Sequence, residues 1–213
     1  MVSAREQALI GPRATEKRRE DFVRGRWIAK HLLAAGRPGS RPDDYVILPD
    51  TLGAPVVYDE SLTVLPVSLS ISHTAGLAAA AVGDGTARVG VDVERFIDEP
   101  AAIVQEYFTR QERALCGGSG GGEVRARATA IWSVKEALMK AIGEGLRIPA
   151  KAVGMTALRQ DRDGWAEADV FVRPDDPVPR VWVRMQRDHV LVLAVFGHAG
   201  QPPKVEMFGH SVP

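Results

Sequence analysis

The stretch that decides the fold is VGVDVE at residues 89–94, together with IWSVKEALMK at residues 131–140. Successive side chains of an extended backbone point to opposite sides. Gly90, Asp92 and Glu94 therefore share one face of a predicted strand, and the three valines share the other. The second stretch is rich in helix formers and places its apolar residues on one stripe of a 3.6-residue period. The sequence thus predicts an acidic strand followed by an amphipathic helix.

The polar side of this helix carries Ser133, Glu136 and Lys140, so an acid and a cation lie one turn apart. If the fold packs this side against the acidic face of the strand, the carboxylates of Asp92, Glu94 and Glu136 converge beside the lysine. Such a set suits a hard divalent cation bound to a phosphate-bearing substrate. Each pattern alone is more often a solvated surface, so the prediction of a metal site depends on the two elements meeting.

The composition is that of an ordinary globular protein, with 213 residues, 45% of them hydrophobic and 25% charged. The 27 basic and 27 acidic residues cancel, which predicts neither a nucleic acid nor a membrane surface as partner. Cys116 is the only cysteine, so no intramolecular disulfide forms and a reducing compartment is favoured. The N-terminus lacks a signal-peptide pattern, and no run approaches the ~18 apolar residues of a membrane span, so a cytoplasmic location is expected.

Basic residues are concentrated near the N-terminus. Up to Arg41 the chain has ten Lys or Arg against four Asp or Glu, and the stretch that follows is acidic. A helix is predicted from about Thr15 to Ala35, with Arg19, Arg26 and Lys30 beside or opposite its apolar stripe. A basic helix usually presents a solvated face. It can also hold a polyanion whose metal ion is bound by the acidic centre.

Alternating or small apolar residues predict short strands before the acidic strand. They are expected at residues 45–48, 55–58, 67–74 and 77–82. A Gly-Asp-Gly turn separates the last of these from the acidic strand, which predicts a hairpin between the two. The strand at 67–74 ends in Ser72 and His73, a pair that does not by itself indicate a nucleophile triad without an aspartate partner.

Two more helical segments and a β-rich end are predicted. Residues 100–115 have a helical pattern, within which Thr109 and Glu112 fit a capping box. The glycine run at 117–122 lacks the Lys-Ser or Lys-Thr ending of a P-loop and favours a flexible loop. The central helix is expected from Arg125 to Ile142. The strands expected beyond it lie at residues 152–157, 167–172, 181–186 and 189–196.

The order of these motifs resembles that of the 4'-phosphopantetheinyl transferases, in the larger form that activates polyketide and nonribosomal peptide synthetases. The matching motifs are FVRGRWIAK at 22–30, VSLSISHT at 67–74, GVDVE at 90–94, FTRQERAL at 108–115 and WSVKEALMK at 132–140. One departure is the turn LGAP at 52–55, because many relatives carry Lys or Arg where this chain has Ala54. Either other cations hold coenzyme A here or the pocket is looser than usual.

The resemblance implies an α+β fold of two similar lobes related by a pseudo-twofold axis, with the active site in the cleft between them. The N-terminal lobe is expected to comprise residues 1–88, and the C-terminal lobe residues 89–213. A faint similarity between residues 76–83 and 189–197 agrees with such a repeat. Because one chain then supplies both lobes, a monomer is expected.

The resemblance also implies the reaction. The 4'-phosphopantetheine arm of coenzyme A would be transferred to a serine hydroxyl of an acyl or peptidyl carrier protein, releasing adenosine 3',5'-bisphosphate. Asp92, Glu94 and Glu136 would ligate Mg2+, or Mn2+ in its place. Glu136 would also take the serine proton, directly or through a water molecule, and Lys140 would stabilise the departing phosphate.

The resemblance assigns coenzyme A binding to residues of the basic helix and of the strand that ends in Ser-His. These residues are Arg19, Arg26, Lys30, Ser72 and His73. The rival hypothesis is a non-catalytic module that uses the basic helix to hold an acidic carrier protein or RNA. That hypothesis needs no metal ion, and it leaves the three carboxylates without a role.

Overall fold

The computed structural model describes residues 2–74, 76–118, 120–160 and 164–197. The helices in these ranges are α1 (Ala4–Gln7), α2 (Glu16–Ala35), α3 (Ala101–Tyr107), α4 (Arg110–Leu115) and α5 (Gly121–Ile142). The strands are β1 (Val46–Pro49), β2 (Pro55–Tyr58), β3 (Val67–Thr74), β4 (Leu77–Asp84), β5 (Arg88–Arg95), β6 (Gly154–Gln160), β7 (Ala166–Phe171), β8 (Arg180–Met185) and β9 (His189–Phe196). Helices packed on antiparallel sheets confirm the α+β class.

Helix α2 begins and ends where the sequence predicts. Its first turn is capped by Thr15, whose hydroxyl accepts a hydrogen bond from the amide of Arg18 at 3.3 Å, and the helix ends at Gly36. The helix packs on two antiparallel pairs, β1–β2 and β3–β4. The buried residues of this N-terminal core are Ala29, Leu33, Tyr45, Ile47, Val57 and Leu69.

A five-stranded antiparallel sheet forms the C-terminal part, in the order β5-β9-β8-β7-β6. Helix α5 lies on one face of this sheet and contributes the apolar stripe predicted for it. Ile131, Val134, Leu138 and Ala141 are at most 4% exposed. A glycine in the left-handed conformation, Gly143 with φ 87°, ends the helix as predicted.

Both faces of strand β9 pack against apolar clusters. Along β9, Val190 and Val192 pack in the core with α5, whereas Leu191 and Leu193 pack in a second cluster, as alternation in a strand requires. This second cluster also contains Ala81 of β4. The sheet therefore contacts the N-terminal part of the chain through the face that α5 does not cover.

The predicted hairpin between β4 and β5 is wrong. Strand β4 pairs with β3 from Val67↔Asp84 to Thr74↔Leu77, whereas β5 pairs with β9 from Arg88↔Phe196 to Arg95↔His189. Strand β9 is apolar on both faces, so pairing β5 with it completes a sheet that is buried on two sides. A short turn makes β4 and β5 neighbours in the sequence, but it does not decide which strands pair.

Strand β3 nevertheless lies beside β5, joined to it by side chains. Three serine hydroxyls of β3 accept hydrogen bonds from alternate backbone amides of β5. The pairs are Ser68 with Val89 at 3.1 Å, Ser70 with Val91 at 3.0 Å and Ser72 with Val93 at 3.3 Å. These hydroxyls satisfy the edge of β5 that β9 leaves unpaired.

Two helical boundaries differ from or refine the prediction. Helix α5 begins at Gly121 rather than at Arg125, so the predicted glycine loop is wrong for its last two residues. Extending an existing helix costs far less free energy than starting one, so the first turn of α5 can contain Gly121 and Gly122. The helical pattern at 100–115 is split into α3 and α4, and the predicted capping box of Thr109 and Glu112 starts α4.

None of the helices in the described ranges has both the length and the apolar character required to cross a membrane.

Candidate active site

The acidic strand and the central helix meet at Gly90. A Cβ atom at this position would stand 1.9 Å from the carbonyl oxygen of Ala137 and 2.7 Å from the amide nitrogen of Ala141. Only glycine fits this contact, and its lack of a side chain lets β5 lie directly against α5. Asp92, two residues further along the same face, is 0% exposed. The contact at Gly90 thus sets the distance between the acidic face of the strand and the helix.

Three carboxylates converge next to this contact. One oxygen each from Asp92, Glu94 and Glu136 lies within 4.8 Å of the others. Asp92 is buried, Glu94 is half-buried and the side chain of Glu136 is 24% exposed. The convergence expected from the sequence is therefore present. Carboxylate oxygens are the ligands that Mg2+ and similar hard cations prefer.

The two oxygens of Asp92 have different surroundings. Oδ1 accepts hydrogen bonds from the Ser72 hydroxyl at 2.8 Å and from Lys140 Nζ at 2.7 Å. Oδ2 is buried and has no hydrogen-bond partner among the described residues. A buried carboxylate oxygen without a donor is costly. A divalent cation between the three carboxylates would satisfy it, so these residues fit a metal ion.

The cluster carries an excess of negative charge. Burial, followed by the charge of Asp92, raises the pKa of Glu136 from 4.5 to about 7, against the opposing effect of Lys140. The pKa of Glu94 is also raised, first by burial and then by Asp92. Lys140 Nζ lies 3.6 Å from Glu136 Oε2. A single ammonium does not balance three carboxylates, and a divalent cation would supply the missing charge.

Strand β3 contributes two hydroxyl groups to the cluster. Ser72 donates to Asp92 and accepts from Lys140 Nζ at 3.0 Å. Thr74 Oγ1 donates to Glu94 Oε2 at 2.9 Å. Both hydroxyls lie on the N-terminal part of the chain, whereas the carboxylates they bind lie on the C-terminal part.

Ser72, which is expected to contact coenzyme A, is surrounded by groups of the carboxylate cluster. Its hydrogen is donated to Asp92, and its two lone pairs face Lys140 and the amide of Val93. A serine hydroxyl has one donor and two acceptor sites, so this one is fully used. A contact with a phosphate would require one of these bonds to break. The structure therefore places Ser72 within the carboxylate cluster.

Arg26 and His73, both expected to bind coenzyme A, line one cavity of about 150 Å³. The Arg26 guanidinium lies 4.0 Å from the centre of the Phe22 ring, and burial lowers the pKa of Arg26 from its ordinary value. Its Nε is buried and has no hydrogen-bond partner among the described residues. His73 is exposed, with Nδ1 3.9 Å from Asp21 Oδ2. The cavity thus offers an unsatisfied donor and a histidine to an anion.

Arg19 does not line this cavity. Its guanidinium donates to the carbonyl oxygens of Pro12 at 3.1 Å and Ala14 at 3.2 Å. These bonds hold the segment that leads into α2. The side chain therefore stabilises the start of the helix, and its expected role in binding coenzyme A stays a prediction.

Lys30 is also used inside the fold. It is 1% exposed, and its Nζ donates to Glu6 Oε2 at 2.7 Å. The other oxygen of Glu6 accepts from the amide of Ile47 at 3.1 Å. This pair joins α1, α2 and β1, and a buried ammonium that lost its partner would be strongly destabilised. Lys30 thus stabilises the N-terminal part of the chain, and its expected contact with coenzyme A stays a prediction.

Sequence reasoning missed a second buried ion pair beside the site. Lys135 Nζ lies 2.8 Å from Glu112 Oε1, and both side chains are fully buried. The ammonium also donates to the carbonyl oxygens of Ala150 and Val153, at 2.8 and 2.7 Å. The pair fixes α5 against α4 at the residue preceding Glu136. The only signal in the sequence is the capping box: it uses one carboxylate oxygen of Glu112 and leaves the other oxygen available to a cation.

A comparison with known families is consistent with this geometry. The family model of the 4'-phosphopantetheinyl transferase superfamily matches residues 88–194. The chain belongs to the 4'-phosphopantetheinyl transferase superfamily. A second model, the 4'-phosphopantetheinyl transferase N-terminal domain, matches residues 5–83. The two matches together include all three carboxylates, Lys140, the hydroxyls of β3, and Arg26 and His73 of the cavity.

Among solved structures, this member of the superfamily is similar to a holo-(acyl-carrier-protein) synthase from Bacillus anthracis str. Ames in complex with CoA (3',5'-ADP). The two chains share 15% sequence identity, and the match covers 52% of this chain and 96% of the synthase, with a TM-score of 0.42. No curated protein matches the chain.

Proposed function

We propose that this chain transfers the 4'-phosphopantetheine arm of coenzyme A to a serine hydroxyl of a carrier protein. Membership of the superfamily supports the transferase activity. The proposal that the reaction needs a metal ion rests on Oδ2 of Asp92. This oxygen is buried among three carboxylates and lacks a hydrogen-bond donor among the described residues. Asp92, Glu94 and Glu136 would hold Mg2+, with Mn2+ able to replace it.

The metal ion would neutralise the pyrophosphate of coenzyme A and stabilise the charge that develops as the phosphate departs. The chain contributes three oxygen ligands from two regular elements, β5 and α5. Their separation is fixed by the contact at Gly90. Ligands on strands and helices are positioned more accurately than ligands on loops.

Glu136 is suited to accept the proton of the carrier serine. Its side chain is 24% exposed at the edge of the cluster, so a serine hydroxyl or a bridging water molecule can reach its carboxylate. The serine oxygen forms a bond to the phosphorus that bears the pantetheine arm, and its proton passes to Glu136 directly or through one water molecule. The bond from that phosphorus to the bridging oxygen breaks, and the oxygen leaves with adenosine 3',5'-bisphosphate. Lys140 is positioned beside the cluster to stabilise the negative charge on the leaving group.

Arg26 and His73 would bind the phosphate groups of coenzyme A in their shared cavity. Gly53 and Pro55 also line this cavity, and Ala54 between them supplies no cation. The positive charge that the lining offers therefore comes from Arg26, helped by His73 when it is protonated. This pair takes the place of the Lys or Arg that the turn lacks.

The natural partners are proposed to be carrier domains of polyketide and nonribosomal peptide synthetases. We further propose that the chain divides into an N-terminal lobe of residues 1–88 and a C-terminal lobe of residues 89–213, and that it acts as a monomer. In support, β3, β5 and α5 of one chain supply the whole carboxylate cluster.

Incubation with coenzyme A, Mg2+ and an apo carrier protein, followed by intact mass measurement, tests the activity. The expected result is a mass gain of one phosphopantetheine group, which is lost in Asp92→Ala and in Glu136→Ala. Glu60→Ala, at an exposed acid in the turn after β2, is the matched control and should behave as wild type. Metal-independent binding of the carrier without a mass gain would support the non-catalytic module instead.

A panel of apo carriers at fixed coenzyme A tests the choice of partner. Acyl and peptidyl carriers from polyketide and nonribosomal peptide synthetases should both gain the group. Modification restricted to the carrier of fatty-acid synthesis would contradict this part of the proposal and leave the transferase activity intact.

A further inference from the structure

We infer that strand β3 positions the metal ligands of β5, because the hydroxyls of Ser72 and Thr74 each hold one oxygen of a ligating carboxylate. The inference rests on the proposed function, since it concerns the metal site proposed above. It makes Ser72 and Thr74 positioning residues.

The contacts repeat along the two strands with the same spacing. Ser72 donates to Asp92 at 2.8 Å, and Thr74, two residues on, donates to Glu94 at 2.9 Å, also two residues on. Alternate residues of a strand share a face, so the register that places Ser72 against β5 also places Thr74. Ionised carboxylates only accept hydrogen bonds, so both hydroxyls act as donors.

Each bond leaves one oxygen of its carboxylate for another ligand. At Asp92, both Ser72 and Lys140 bind Oδ1, and Oδ2 is the atom without a donor among the described residues. Directing both donors to one oxygen fixes the rotation of the carboxylate and presents the other oxygen to the cluster. Glu94 is held in the same way, since Thr74 binds only its Oε2. Partners of this kind commonly tune metal sites, and losing one costs roughly 10–100-fold in metal affinity or activity.

The arrangement makes the metal site depend on both parts of the chain. The ligands lie within residues 88–194, whereas the hydroxyls that orient them lie within residues 5–83. The serine bridges between β3 and β5 hold the two parts in register. Loss of the Ser72 or Thr74 hydroxyl should therefore weaken metal binding without removing a ligand.

Thr74→Val tests the inference, because it removes the hydroxyl and keeps the shape of a half-buried side chain. Ser70→Ala is the matched control: it loses the same kind of serine bridge, to the Val91 amide, at a position that does not donate to Asp92 or Glu94. The probe is Mn2+, with the free ion measured by electron paramagnetic resonance, for protein alone and with coenzyme A. Thr74→Val should weaken Mn2+ binding about 10-fold, and Thr74→Ser should restore it. Ser70→Ala should stay within about twofold of wild type.

Kinetics separate positioning from direct contact with the substrate. In Ser72→Ala and Thr74→Val, the half-saturating Mg2+ concentration should rise about 10-fold, while KM for coenzyme A at saturating Mg2+ changes less than about twofold. Circular dichroism and thermal melting establish that each variant is folded. If Ser72→Ala does not fold, the half-buried Thr74 site still gives the decisive comparison.

Unchanged Mn2+ affinity in Thr74→Val would overturn the inference and leave the proposed function standing. So would a raised KM for coenzyme A with unchanged Mg2+ dependence, which is the result of a phosphate contact. If wild-type protein bound no Mn2+ with or without coenzyme A, the metal-dependent part of the proposed function would fail, and the inference with it.

Discussion

Replacing Glu136 by Gln is expected to stabilise the metal-free protein although it abolishes transfer. The Glu136 side chain is 24% exposed, and burial, followed by the charge of Asp92, raises its pKa from 4.5 to about 7. The folded state therefore holds this proton more tightly than the unfolded state does. The contribution of Glu136 to the free energy of unfolding is most favourable below its unfolded pKa of about 4.5. It falls as the pH rises from 4.5 to about 7 and is constant above that. A pKa change of this size corresponds to a loss of about 3 kcal/mol.

Urea unfolding at pH 5 and pH 8, in the presence of a metal chelator, measures this effect on the free energy of unfolding. At pH 8, Glu136→Gln should be more stable than wild type by about 2–3 kcal/mol, because glutamine keeps the shape without the buried charge. At pH 5 the two proteins should differ by less than about 1 kcal/mol. Mg2+ should stabilise wild type at pH 8, since it binds the folded state, and should stabilise the variant much less.

Glu60→Gln, at an exposed position, is the control and should leave the pH dependence unchanged. The reasoning is refuted if Glu136→Gln is less stable than wild type at pH 8 in the chelator. That outcome would show that Lys140 stabilises the Glu136 carboxylate by more than burial and Asp92 destabilise it.

Three further predictions concern the contacts around the cluster. Gly90→Ala should cost about 3 kcal/mol or more in urea unfolding because its Cβ meets the backbone of α5, whereas Gly11→Ala, with no atom within 4 Å, should be nearly neutral. Lys135→Met should cost about 3–5 kcal/mol by leaving Glu112 buried and unpaired, and adding Glu112→Gln should recover part of that loss in the same assay. Arg26→Ala should raise KM for coenzyme A about 10-fold in steady-state kinetics and leave the half-saturating Mg2+ concentration unchanged. An unchanged KM would remove Arg26 from the coenzyme A site.

The carboxylate cluster was predictable because its signals are local. Alternation along a strand places Asp92 and Glu94 on one face, and the helical period places Glu136 near Lys140. Gly90 lies on the same face as the two strand acids, and that face packs closely against the helix. These relations need only the period of each element. The sequence predicts the cluster on condition that the strand and the helix meet, and in the structure their carboxylates do converge.

The features that could not be predicted depend on contacts between distant parts of the chain. The choice of β9 over β4 as partner of β5 is decided by burial on both faces of the finished sheet. Nothing in the sequence around Ser72 indicates that its hydroxyl donates a hydrogen bond to Asp92, twenty residues away. Lys30 looked like part of a solvated basic face, since charged side chains are rarely buried without a partner, and its partner Glu6 lies in another helix.

Anomalous diffraction from crystals grown with Mn2+ and coenzyme A tests the central claim most directly. The account predicts one strong Mn2+ peak, with oxygen atoms of Asp92, Glu94 and Glu136 at about 2.0–2.3 Å and the pyrophosphate of coenzyme A completing the coordination. A map with no Mn2+ peak between β5 and α5, or with Mn2+ bound elsewhere and Asp92 Oδ2 facing only protein, would contradict it.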